Sequence, residues 1–509
     1  MKYMKVLLIV VSTVFMFACT KLNESQRGTL EAASSSVSAA GLLQSAYESM
    51  NGPFQDQARY WSAQQHTTDE TIGPTRGPDW DDNGVWRVLH AHTWNADHGF
   101  LRDTYRELLQ IQFSATSVLD RNPSAQQAAE ARFIRAFSMF SVLDGWDQVP
   151  YRADLKNLTI LPETKQGAAA ADFIISELNA IINDLPASPT TKANKDAARV
   201  LLMKCYLNKG VFANRAAPTF AAADMNQVIT LADQIINSAK YSLTTNFFDN
   251  FAPDNSTDPN KSKELIYTLE NIDGTRGGNV RSMWFEALHY NQKPSGWNGF
   301  TTLSDFYNKF GATDQRRGGT YPGVTNVSGL RVGFLVGQQF NEAGVALNDR
   351  RGNALSFTPT VRLKETGNDL EITGIRVIKY PPDYAGGDQS DNEYVIYRYA
   401  DVLLMKAEAI LRGGTATGTA PYNSALNIVN FIRLARGAVA TAAVDLNFLL
   451  DERGRELYYE QMRRQDLIRF GKFLQPWQEK AASGPERLVF PIPSDQLAAN
   501  PNLKQNTGY

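Results

Sequence analysis

Between residues 67 and 86 the chain reads TTDETIGPTRGPDWDDNGVW, which sets Trp80 and Trp86 among Asp69, Arg76, Asp79, Asp81 and Asp82. Sugars present flat C–H faces and a rim of hydroxyls, and an aromatic plate flanked by carboxylate or guanidinium groups answers both. The Gly, Pro, Asp and Asn of GPTRGPDWDDNGVW (73–86) make a turn-rich segment that is neither regular helix nor strand. A tryptophan in such a loop either folds back to pin it or stays out to meet a partner. Trp284 and Trp297, with Tyr290 between them, form a second aromatic group far along the chain. The expectation is that at least one of these indoles is an exposed plate and that others are buried pins under the loops.

Other chemistries are less well served. His90, His92 and His98 lie close together with Asp97, but HAHTWNADH has no recognised ligand spacing and WRVLHAHTW (86–94) reads as an alternating strand, so no metal is expected. Glycoside hydrolysis needs two carboxylates about 5–10 Å apart, one with a raised pKa, and abundant Asp and Glu make any nominated pair uninformative. The densest acidic run, DERGRELYYEQMRRQD (451–466), has a simpler reading. Asp451 with Arg455, and Glu460 with Arg464, are i,i+4 pairs on one helix, a solvated or bundle-facing ion-pair network. No GxSxG, HExxH or phosphate-binding loop is present, so neither catalytic residues nor a cofactor are expected.

The elements that must hold these residues are mostly helical. Regions 42–241 and 393–473 carry helical periodicity, as in Phe133, Phe137 and Phe140, or DAARVLLMKCYLNKG (196–210). Paired helices with small residues at close approaches suggest tetratricopeptide-like hairpins, although no regular repeat length is visible. Between them, 242–392 is rich in turns, with short runs such as LIYTLE (265–270) and GIRVIKY (374–380) as strands. Residues 474–509 form a tail. The predicted fold is therefore predominantly α, a single helix-hairpin scaffold from 42 to 509 interrupted by a loop-rich insertion.

Hydrophobic residues make up 43% of the 509 and charged residues 20%, an ordinary globular balance with ample core. A net charge of −2 without a basic block argues against nucleic acid as the main partner. The start, MKYMKVLLIVVSTVFMFAC, has a basic head, an apolar stretch too short to span a bilayer comfortably, and Ala18 before Cys19. It reads as a lipoprotein signal over 1–18 with Cys19 as the lipidated residue, although Met16 and Phe17 depart from the usual residues before the cysteine. Residues 19–41 then form a small, polar tether. Cys205 has no partner for an intrachain disulfide, so packing must stabilise the fold.

Several stretches together resemble the SusD/RagB family of outer-membrane nutrient-binding lipoproteins. They are RFIRAFSMFSVLDGWDQVPY (132–151), RYADVLLMKAEAILR (398–412), ALNIVNFIRLARG (425–437), LLDERGRELYYEQMRRQDLIRFGKF (449–473) and FPIPSDQLAANPNLKQNTGY (490–509). The resemblance implies about four tetratricopeptide-like helix pairs supporting an irregular ligand face. It also implies a non-enzymatic lid on a SusC-like TonB-dependent transporter, anchored by lipid to the outer membrane and facing the cell exterior. Glycan is the implied ligand, with peptide or glycoprotein cargo as the alternative. The residues expected to contact it are Asp69, Arg76, Trp80, Asp82, Trp86, Trp284 and Trp297. A pure assembly scaffold would instead lack a ligand-sized aromatic site.

Overall fold

The structure, a computed structural model, describes residues 37–509. The signal segment, Cys19 and most of the tether lie outside the described residues. Ten helices of seven residues or more carry the architecture: α1 Ala39–Glu48, α2 Gly99–Leu119, α3 Ala125–Trp146, α4 Gly167–Ile181, α5 Lys195–Ala213, α6 Ala222–Asn237, α7 Tyr399–Leu411, α8 Ala425–Ala435, α9 Leu446–Leu457 and α10 Arg463–Arg469. From α2 to α8 each helix packs on the next, so α6 meets α7 directly although some 160 residues separate them. The scaffold is thus continuous in space and interrupted only in sequence. Helix α1 starts at Ala39, ahead of the expected boundary at 42, because the Ser38 hydroxyl accepts from the Gly41 backbone and caps it.

Local chemistry sets the helix ends. Ser124 and Gln127 close a reciprocal capping box at the start of α3, and Asn194, Ser424 and Asp445 cap α5, α8 and α9. Helix α3 is buried nearly all round, its Glu130, Arg135 and Asp144 included. Its Phe133 and Phe137 stack at 6.4 Å, and Phe137 meets the Tyr397 ring edge-on. Cys205 is a buried free thiol inside α5.

The insertion is tied at both ends. Leu265–Leu269 pairs antiparallel with Tyr394–Arg398, which runs straight into α7. Both predicted strands are present, the second as Arg376–Ile378 in a small sheet with Val332–Leu335 and Gly318–Gly319. Two further pairings bring the early loop onto the insertion: Thr75–Arg76 runs parallel with Lys364–Glu365, and Ile72 bridges Thr301. The tail is anchored too. Asn506 donates to the carbonyls of Trp146 and Phe490, and the Tyr509 hydroxyl accepts from Trp94 Nε1 at 2.7 Å.

Two sequence expectations change. Residues 86–90 lie in a short helix, Val85–His90, and not in a strand; His90 and His92 face inward and hydrogen-bond backbone carbonyls of Thr71 and Thr67. The run 451–466 is two helices, broken where Tyr459 and Gln461 take positive φ. Its charges pair across the fold, half-exposed Asp451 with Lys309, and buried Glu460 with Lys379 and Arg398 and Arg464 with Asp144. The break turns Glu460 away from Arg464, so the expected i,i+4 pairing is replaced by long-range pairs.

Candidate functional site

The 73–86 loop packs against residues 284–299 of the insertion, and the two tryptophans of the first segment part company. Trp86 is buried, its ring among His66, Phe100 and Phe300, and its Nε1 donates to Asp82 Oδ2 at 2.8 Å. It is a pin, and Asp82, exposed at the surface, is spent partly in holding it. Trp80 is only half-buried. Its Nε1 donates to the Trp297 carbonyl at 2.9 Å, and its ring lies at 4.9 Å from Phe300 and 6.4 Å from Trp297.

Backbone conformation shows how the indole is held. Trp80 has φ 59°, and Asp82, Asn83 and Gly84 follow at 40°, 55° and 81°. Bulky residues seldom adopt such angles, which cost on the order of 1–3 kcal/mol each and recur where function needs a fixed pose. Gly299 matches it from the other side: any side chain there would overlap the Trp80 ring. Asn298, next to Trp297, also has positive φ, at 55°.

Trp297 is the exposed plate, with 44% of its surface open. It stacks on half-buried Phe285 at 6.0 Å and 27°, and Arg281 sits 5.2 Å from the Phe285 ring while pairing with Asp388. Trp80, Trp297 and Phe285 therefore make a stepped aromatic shelf. One edge of it is polar. The Tyr290 hydroxyl points to Asp79 Oδ2 at 3.5 Å, and the Arg350 guanidinium lies 3.9 Å from the centre of the Tyr290 ring.

Glu371 anchors that edge, accepting from Arg350 Nε at 2.7 Å, the Arg350 backbone N–H at 3.1 Å and His289 Nε2 at 2.8 Å. Partial burial works against its charge, but these donors prevail and hold its pKa below the ordinary carboxylate value. Burial lowers the His289 pKa, and the Asn291 N–H donates to its Nδ1, so the neutral Nε2–H tautomer serves Glu371. Arg350 is thereby oriented with the rest of its guanidinium free at the surface, where it is 51% exposed.

Besides Trp86, three expected contact residues are absent from this surface. Trp284 is 1% exposed, on the inner side of the short helix Ser282–Phe285, where neighbouring Phe285 faces outward instead. Arg76 is buried and donates to the carbonyls of Gly299, Leu370 and Thr373, stitching the two loops together. Asp69 forms a bidentate pair with Arg463 at 2.7 Å, which joins the loop to α10. With Trp86 they form the support of the shelf. Arg350, Glu371 and Phe285 went unread in the sequence, because their roles depend on pairings across up to 82 residues. Among the described residues no group of three or more His, Cys, Asp or Glu is placed to hold a metal ion, and no helix is long and apolar enough to cross a membrane.

The helical scaffold thus carries an open aromatic shelf built jointly by the 73–86 loop and the insertion. Residues 254–487 match the SusD family. The starch-binding protein SusD of Bacteroides thetaiotaomicron is 27% identical over 421 residues, 75% of this chain and 73% of that protein. SusD-like protein P38 of Formosa agariphila is 24% identical over 79% of each chain. Among solved structures, a laminarin-binding SusD-like protein superposes with a TM-score of 0.70 at 20% identity, covering 92% of this chain and 99% of its own. Surface glycan-binding protein A from Bacteroides thetaiotaomicron, in complex with laminarihexaose, gives 0.66 at 16% identity over 92% and 98%. Together these matches support the SusD/RagB family for this chain.

Proposed function

We propose that this protein binds glycan on the Trp80–Trp297–Phe285 shelf and hands it to a SusC-like TonB-dependent transporter, as a lipoprotein anchored through Cys19 at the outer-membrane surface. The observation that carries the reading is Trp297: a large indole left 44% open, beside a tryptophan held at positive φ and a polar edge of Asp79, Tyr290 and Arg350. An apolar plate stacks on the C–H face of a sugar while the edge donates to and accepts from its hydroxyls. Relatives named for starch and laminarin binding support the ligand class. The shelf is open and stepped, which suits a chain passing over it more than a small molecule enclosed by it. Relatives described as binding proteins support a role in binding without cleavage.

Native affinity gels containing plant, algal, fungal and host polysaccharides test this. The expected result is retardation by one glycan class with the polymer left uncut. Product release from the retained glycan, or retardation that survives Trp297→Ala together with Trp80→Ala, would contradict it.

A further inference from the structure

A cavity of about 330 Å³ opens on the scaffold between α2, α3 and the hairpin of Gln148–Tyr151 with Glu163–Gln166. It shares no residue with the aromatic shelf. Arg106, Arg135 and Arg152 line it, and no Asp or Glu does. The acids closest in sequence to Arg106 are taken: Asp103 pairs with Arg102 and Glu107 with Arg59. Arg106 itself has no ion-pair partner among the described residues, and Arg152 reaches only the carbonyls of Asn157 and Leu158, at 3.5 and 3.4 Å.

The buried wall is largely matched from within, Arg135 Nη1 also reaching the carbonyls of Arg152 and Ala153 at 3.4 Å. Arg135 is 4% exposed; its Nη2 meets Glu177 at 3.0 Å, but its Nε has no hydrogen-bond partner among the described residues. Gln112, 6% exposed, likewise has an unpartnered Nε2. Both of these atoms are enclosed, and the groups a ligand can reach from solvent are the guanidiniums of exposed Arg106 and half-buried Arg152. At the rim Asp120 accepts from the Leu155 N–H at 3.0 Å, and Asp495 accepts from Gln496. Leu109, Phe113, Pro150 and Pro162 give the remaining wall an apolar face.

We propose that this pocket is a second binding site, for a sugar unit that bears an oxyanion, its ring lying on the apolar wall and its charged group between Arg106 and Arg152. A guanidinium cluster suits the paired oxygens of a carboxylate or a sulfate ester, and the volume is at the lower end of ligand-sized pockets. The site stands apart from the shelf and does not depend on what the shelf binds.

Titration calorimetry at low salt on the full chain in detergent, with methyl glucuronide, glucose 6-sulfate and neutral methyl glucoside, tests it. Saturable binding of at least one anion and not of methyl glucoside is expected, and the tighter of the two identifies the oxyanion. Arg106→Gln combined with Arg152→Gln, both at the solvent side, is expected to weaken that binding by about tenfold or more with the melting temperature unchanged. Trp297→Ala is expected to leave it intact. No saturable binding of either anion at millimolar concentration, binding retained by the double variant, or binding lost in Trp297→Ala would each overturn the proposal.

Discussion

Arg398 gives its guanidinium to Glu264, Glu456 and Glu460 at 2.7–3.0 Å, all of them buried, while Arg436 shares Glu264 and Glu456 with it. Arg316 adds Asp314, Glu452 and a third claim on Glu456. On the shelf, Arg350 spends only Nε and its backbone N–H on Glu371 and leaves the rest of its donors over Tyr290. Both regions are made of charges set against aromatic rings, since Arg398 and Arg436 lie 5.6 and 5.2 Å from Phe247. The difference is completeness. Where every donor is matched inside the protein the charges lock elements together; where donors and ring faces remain over, a ligand can complete them.

That contrast can be broken most severely at Glu456. Glu456→Ala leaves three buried guanidiniums competing for fewer carboxylates, and a loss of about 3–5 kcal/mol is expected in urea unfolding. A loss below about 1 kcal/mol would mean that water or rearrangement satisfies the cluster. Trp86→Ala comes next. It removes a buried ring beneath the shelf, with an expected cost of about 3 kcal/mol and loss of glycan binding through collapse of the loop. Stability and binding fall together there, as they should for a pin.

A subtler probe lies where the two regions join. Glu70 is buried beside the Asp69–Arg463 pair and accepts from the Tyr459 N–H at 3.1 Å. Burial raises its pKa from 4.5 to about 8, so its native form is protonated at neutral pH. A raised folded pKa gives stability that is complete below 4.5 and lost as pH rises through 8. The stability of the wild type relative to Glu70→Gln should therefore fall between pH 4.5 and 8, by at most about 1.4 kcal/mol per pH unit. His66 and His92, whose burial lowers them to about 3 and about 2, act in the opposite sense below pH 6.5 in both proteins and cancel in the difference. A flat difference across the range would place the Glu70 carboxylate in contact with water.

Periodicity made the scaffold legible: the stripe in 196–210 and the Phe133–Phe140 spacing lie in α5 and α3. Composition made the shelf legible as a region but not residue by residue. Trp80 and Trp86 sit in one short segment with the same neighbours in sequence, and only the positive φ of Trp80 and the close approach of Gly299 separate plate from pin. Trp284 and Phe285 are adjacent on a single helical turn, so one faces inward and the other outward by rotation alone. The acidic run 451–466 read equally as solvated or bundle-facing because its partners, Lys309, Lys379 and Arg398, lie far off in sequence. Local charge pattern carries no information about such pairs.

The most direct test compares the open indole with a buried one. Once a glycan is identified, calorimetric titration of Trp297→Ala and Trp284→Phe should separate them. The account predicts that Trp297→Ala loses at least about tenfold in affinity with its melting temperature unchanged, while Trp284→Phe keeps its affinity. Full affinity in a folded Trp297→Ala protein would contradict the assignment of the shelf as the binding site.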